Sequence, residues 1–105
     1  MYKLIRDNIP KLIKESGSVC DYAAVQNDEF YTNLLKDKLI EEVNEYLFSE
    51  DSLEELADIK LVVEYLIGNR IHEFQHIYDK KLAEKGGFDK RYVAFFADTP
   101  VQENK

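Results

Sequence analysis

Apolar side chains return every three or four residues along most of this chain. Tyr31, Leu34, Leu35, Leu39, Val43 and Leu47 keep that spacing, which puts them on one face of an α-helix. Asn27 or Asp28 is a suitable N-cap, and the pattern ends near Phe48. Ser49-Glu-Asp-Ser52 is a short polar turn. Ser52 followed by Glu55 makes a capping-box pattern that opens a second helix. Gly68-Asn69 stops it just after Ile67. The second half of that helix carries Ile59, Leu61, Val62, Val63, Leu66 and Ile67, apolar on nearly every face. Such a helix needs cover on all sides. A chain of 105 residues has few elements to provide it, so the pattern predicts an oligomer.

A third helix is expected over roughly Ile71 to Glu84, with Ile71, Phe74, Ile77, Tyr78 and Leu82 on one stripe and Gly86-Gly87 as its stop. Before the long helices, Leu4 to Ser16 holds a short one. Pro10 suits its first turn, Ile9, Leu12 and Ile13 line it, and Gly17 ends it. Ser18 to Val25 and Arg91 to Ala97 read as short strands that could pair. Pro100 to Lys105 reads as a loose tail. The expected fold is mainly α: an antiparallel helical bundle with at most a short β element, forming one domain over residues 1–105.

Charge narrows the function. Asp and Glu outnumber Lys and Arg by 21 to 14, a formal net charge of −7. Binding to a nucleic-acid backbone needs a concentrated basic footprint, so stable nucleic-acid binding is not expected. A nucleotide substrate stays open, because a metal cation bridges carboxylates and phosphates. Cys20 is the single cysteine, which rules out an intrachain disulfide and a cysteine-based zinc cage. The opening residues lack the apolar run of a signal peptide. The most apolar stretch, Ile59 to Ile67, is interrupted by Lys60 and Glu64 and is too short to span a bilayer. These features lead to the expectation of a cytoplasmic protein without membrane partners.

The chemistry lies in two acidic motifs, Glu41-Glu-Val-Asn-Glu45 and Glu54-Glu-Leu-Ala-Asp58. Glu42 and Glu45 are three apart, as are Glu55 and Asp58, so each pair shares a helical face. A turn of about four residues makes the two helices antiparallel. Glu45 and Glu55 then lie at similar distances from the turn, and all four carboxylates can converge between the helices. Clustered carboxylates repel one another unless a cation neutralises them. Hard oxygen donors suit Mg²⁺, with Mn²⁺ as a substitute, rather than zinc or copper. The plainer reading is a solvated acidic face in which Glu41 or Glu42 pairs with Lys38 on the previous turn.

These motifs resemble the all-α nucleoside triphosphate pyrophosphohydrolase superfamily, which includes the MazG-like enzymes and phosphoribosyl-ATP pyrophosphohydrolase. The family pattern is Glu-x-x-Glu on one helix and Glu-x-x-Asp on the next. Here it stands as Lys38-Leu-Ile-Glu-Glu-Val-Asn-Glu45 and Glu54-Glu-Leu-Ala-Asp58. The opening Tyr2-Lys-Leu-Ile-Arg-Asp-Asn-Ile-Pro10 is similar to that of a small MazG-like subgroup. Lys81-Leu-Ala-Glu-Lys-Gly-Gly-Phe88 is similar to its Gly-Gly-Phe segment.

The resemblance implies hydrolysis of a nucleoside triphosphate, non-standard ones included, to nucleoside monophosphate and pyrophosphate. It implies metal-ligand roles for Glu42, Glu45, Glu55 and Asp58, and a homodimer or homotetramer. An attacking water would be oriented or deprotonated by one carboxylate, Glu42 or Glu45. Outer phosphates call for cations, and the candidates are Lys3, Arg6, Lys81, Lys85 and Arg91. Each has the alternative of an ordinary surface cation. Lys85 stands where many relatives carry Arg.

Three other readings compete. His72-Glu-Phe-Gln-His76 matches the H-E-x-x-H zinc protease signature. A third ligand is lacking, because Glu84 lies about three turns along the same helix. The chain could instead be a non-catalytic interaction or regulatory bundle, or act on phosphoribosyl-ATP itself.

Overall fold

The structure, a computed structural model, describes residues 2–96. It is mainly helical and divides after Arg70 into two compact units. The first holds three helices, α1 (Ile9–Glu15), α2 (Asp28–Phe48) and α3 (Leu53–Ile67), followed by a single 3₁₀ turn, Gly68–Arg70. The second holds α4 (Ile71–Lys85). None of these helices is long and apolar enough to cross a membrane.

The helix boundaries follow their chemistry. Pro10 sits in the first turn of α1, where its missing N–H costs nothing. Asn27 caps α2, its side-chain oxygen accepting from the Phe30 N–H at 2.8 Å. Ser52 caps α3, its hydroxyl accepting from the Glu55 N–H at 3.4 Å. α3 stops at Gly68, whose φ of +57° is a backbone state that side chains disfavour. Arg70 folds back over that end and donates from Nη2 to the Leu66 carbonyl at 2.7 Å and from Nε to the Ile67 carbonyl at 3.3 Å.

α2 and α3 form the packed centre of the first unit. Four residues, Ser49 to Ser52, join them. Ser49 Oγ accepts from the Ser52 N–H at 3.2 Å. Asp51 takes a left-handed φ of +59°, tolerated by Asp better than by bulkier residues. The Tyr46 hydroxyl donates to Asp51 Oδ1 at 2.5 Å and ties the turn back to α2. So short a link folds α3 back along α2. The buried apolar residues are Leu34 and Leu35 on α2 and Val62 on α3, with Ile59, Leu61, Val63, Leu66 and Ile67 half-buried around them. Ahead of α1, Tyr2 packs edge-on against Phe30, with ring centroids 5.8 Å apart.

The expected strands are absent from the described residues. Ser18 to Val25 and Arg91 to Phe96 form no ladder. Val19, Tyr22, Tyr92, Val93, Phe95 and Phe96 are exposed. Their β-branched and aromatic composition suits a half-buried pleated surface, but neither segment has a paired neighbour to supply one. Ala97, which closed the second expected strand, and the expected tail from Pro100 to Lys105 lie outside the described residues.

In the second unit, α4 carries its apolar stripe as expected. Ile71, Phe74, Ile77, Tyr78 and Leu82 are all exposed. Gly86, at φ +78°, ends the helix, its N–H bonding the Leu82 carbonyl at 2.9 Å.

Two substitutions test the boundaries. Asn27→Ala should lower unfolding free energy by roughly 1 kcal/mol in urea titration, the usual cost of a lost N-cap. Gly68→Ala should cost about 1–2 kcal/mol, since a left-handed backbone penalises any Cβ. No atom lies within 4 Å of the added carbon, so that loss would be conformational rather than steric.

Candidate metal centre

Glu42 is the pivot of the acidic motifs. It lies a turn and a half before the end of α2 and retains 6% of its exposure. Three carboxylates, Glu42, Glu55 and Asp58, present oxygens that all lie within 4.8 Å of one another. A second group, Glu41, Glu42 and Glu45, meets the same criterion. The four expected ligands thus form two overlapping triads joined at Glu42, with Glu41 added, rather than one isolated quartet. Because α3 returns along α2, Asp58 comes level with Glu42, and Glu55, one turn earlier on α3, joins them.

Three cations contact this cluster. Lys38 Nζ lies 3.4 Å from Glu41 Oε2 and 3.4 Å from Glu42 Oε1. Lys3 Nζ lies 2.6 Å from Glu41 Oε1. Arg6 Nη2 lies 2.5 Å from Asp58 Oδ1. The pairing of Lys38 with the carboxylates one turn further on, anticipated as the plainer reading, is present for both of them. It does not exhaust the site. Five carboxylates meet three cations, leaving two negative charges uncompensated. Glu42 Oε2 and Glu55 Oε2 are buried without any hydrogen-bond partner. Buried carboxylate oxygens in that state are costly.

The electrostatics follow from these contacts. Burial, and then the adjacent Glu45 carboxylate, push Glu42 above the usual carboxylate range. Glu41 moves the other way, lowered chiefly by the hydrogen bond from Lys3. The same bond raises Lys3. Adjacent carboxylates driven in opposite directions mark a site that is incompletely neutralised at Glu42.

The donor set fits a hard divalent ion. The contributing atoms are all carboxylate oxygens, those of each triad lie within 4.8 Å of one another, and Glu42 and Glu55 each keep one unsatisfied oxygen. Glu42, Glu55 and Asp58 would hold the ion from both helices, and Glu45 and Glu41 flank it from α2.

A pocket of about 490 Å³ opens beside the cluster. Glu42, Asp58, Asp7, Lys38 and Arg6 are its charged residues. Leu35, Leu61 and Val62 form an apolar wall, and Tyr31 and Tyr65 also line it. The remaining lining comes from the stretch before and within α1, including Leu12. Reading the sequence placed Lys3 and Arg6 among candidate phosphate cations; the structure puts both on carboxylates of the cluster. Lys81, Lys85 and Arg91 belong to the second unit. Lys38, Tyr31 and Tyr65 were not among the candidate site residues. The i,i+4 spacing from Lys38 to Glu42 was a usable signal; nothing in the spacing marked the tyrosines.

His72 and His76 lie on α4, exposed, and among the described residues neither joins a group of metal-ligating side chains. Glu84 sits 3.9 Å from Lys80 instead. The H-E-x-x-H match is therefore an exposed helical face without a third ligand.

No family profile, curated protein or solved structure matches the chain.

Glu42→Gln removes a buried charge that repels its neighbours. In EDTA this variant should unfold at or above the wild-type temperature. Added Mg²⁺ or Mn²⁺ should raise the melting temperature of the wild type and leave Glu42→Gln unmoved, as read by scanning calorimetry.

Proposed function

We propose that this chain is an all-α, MazG-like nucleoside triphosphate pyrophosphohydrolase that works with Mg²⁺, or Mn²⁺ in its place. The observation that carries the reading is Glu42: buried, shared by two carboxylate triads, and left, like Glu55, with an unpartnered oxygen. The adjoining pocket supports a substrate whose phosphates lie toward the carboxylates while an apolar, planar part meets Tyr31, Tyr65 and the aliphatic wall.

In this proposal Glu42, Glu45, Glu55 and Asp58 would hold the metal, which would supply neutralisation of phosphate charge, including the charge that develops in phosphoryl transfer. Lys3 and Arg6 supply cations at the entrance of the same cluster. Glu42 or Glu45 accepts the proton of the attacking water. The water oxygen bonds to phosphorus and the anhydride linkage between the α and β phosphates breaks, giving nucleoside monophosphate and pyrophosphate.

The protein in this reading is cytoplasmic and a homodimer or homotetramer. Support for association comes from the small core: Leu34, Leu35 and Val62 are the buried apolar residues, while Leu56 and Tyr65 on α3 and the stripe of α4 remain exposed. Unpaired apolar faces of this kind are commonly interaction surfaces.

Purified protein with Mg²⁺ should release pyrophosphate from at least one member of a broad nucleoside triphosphate panel. Glu45→Gln and Asp58→Asn should each reduce turnover at least a hundredfold. Metal-dependent stabilisation with no turnover of any nucleotide, phosphoribosyl-ATP included, would instead favour a non-catalytic bundle, for which the neutralising contacts of Lys3, Arg6 and Lys38 give independent support. Light scattering during gel filtration should report a dimer or tetramer; a monomer would remove the association part of the proposal.

A further inference from the structure

Arg6 occupies an unusual position for a cation expected to grip phosphate. Its guanidinium Nη2 is 2.5 Å from Asp58 Oδ1, and both residues line the pocket. Asp58 belongs to the triad with Glu42 and Glu55, each of which keeps one buried, unpartnered oxygen. Arg6 therefore satisfies part of the charge that a divalent ion at this triad would satisfy. The remaining cations differ from it. Lys38 is mostly buried, with 18% of its side chain exposed, and is spread over Glu41 and Glu42. Lys3 reaches only Glu41, outside the Glu42–Glu55–Asp58 triad.

The contact is also built to be released. The Arg6 side chain is 56% exposed, and exposed ion pairs are weak because water and salt screen them. Arg6 lies ahead of α1, outside any helix; the Ile9 N–H bonds its carbonyl at 3.0 Å and is its nearest regular tether. The guanidinium can leave Asp58 without unwinding a helix. Released, it stays at the pocket that holds the carboxylates. A guanidinium freed from one carboxylate is suited to the bidentate capture of phosphate oxygens.

We infer that Arg6 is an exchangeable counter-ion: it neutralises Asp58 in the metal-free protein, is displaced when a divalent ion binds the Glu42–Glu55–Asp58 triad, and then binds the phosphates of the incoming ligand. This inference rests on the metal reading above. Arg6 thus opposes metal binding in the absence of phosphate and favours phosphate binding once metal is present. Metal and phosphate binding become coupled through one side chain, and by thermodynamic reciprocity each strengthens the other.

The test separates the two effects by sign. Mn²⁺ binding to the full chain is measured by electron paramagnetic resonance and by calorimetry, first alone and then with saturating pyrophosphate. Wild type and Glu42→Gln come first: equal, weak Mn²⁺ uptake by both would overturn the metal reading itself, and with it this inference. With the metal reading intact, Arg6→Gln should bind Mn²⁺ alone about threefold to tenfold more tightly than wild type. In the presence of Mn²⁺ it should bind pyrophosphate at least tenfold more weakly. Arg6→Lys, which keeps the charge, should return Mn²⁺ affinity toward the wild-type value and recover pyrophosphate binding only in part. Unchanged or weaker Mn²⁺ binding by a folded Arg6→Gln would overturn the exchange while leaving the metal centre standing. Tighter Mn²⁺ binding with unaltered pyrophosphate affinity would overturn the second half, the transfer to phosphate.

Discussion

A carboxylate withdrawn from water between two helices must be compensated, and the first unit is organised around that requirement at Glu42. Burial raises the cost of its charge, Glu45 and Asp58 add repulsion, and Lys38 from the preceding turn offsets only part of it. A hydrophobic residue of similar size would pack the same place with less penalty. Retaining an acid there costs the fold stability, because one oxygen of Glu42 stays buried without a partner. Destabilised groups of this type concentrate at functional sites.

The N-terminal segment takes part in that compensation although it contributes no regular structure before α1. Tyr2 packs on Phe30, Lys3 reaches Glu41 and Arg6 reaches Asp58. These three contacts lay the stretch along α2 and α3, and residues 4–9 also line the pocket. The segment therefore links the acidic cluster to the lining of the pocket.

Much of the helical framework was legible because its signals are local. Asn27 and Ser52 are short-range caps, Pro10 and Gly68 act through their own backbone preferences, and the three-four spacing of Leu34, Leu35 and Val43 marks a face. The meeting of Glu42 with Glu55 and Asp58 was also legible, since a short turn between two helices leaves little choice of partner. Ser18 to Val25 and Arg91 to Phe96 misled because strand composition describes a fit to neighbouring strands, and that fit depends on residues far away in sequence. The attachment of Lys3 and Arg6 to the acids depends on contacts such as the 52-residue separation between Arg6 and Asp58, which no periodicity encodes. The roles of Tyr31 and Tyr65 at the pocket are of the same non-local kind.

The turn at Ser49 to Ser52 has a consequence for how the chain tolerates change. Surface loops ordinarily accept insertions. Here one added residue taken up into the first turn of α3 would turn the acidic face of that helix by about 100°. Glu55 and Asp58 would swing off the line of Glu42, although both helices, both caps and every acidic residue survived. The Tyr46–Asp51 hydrogen bond and the left-handed Asp51 lock the angular phase between the helices. Loop length is thus as much a determinant of how the carboxylates meet as the acidic residues themselves.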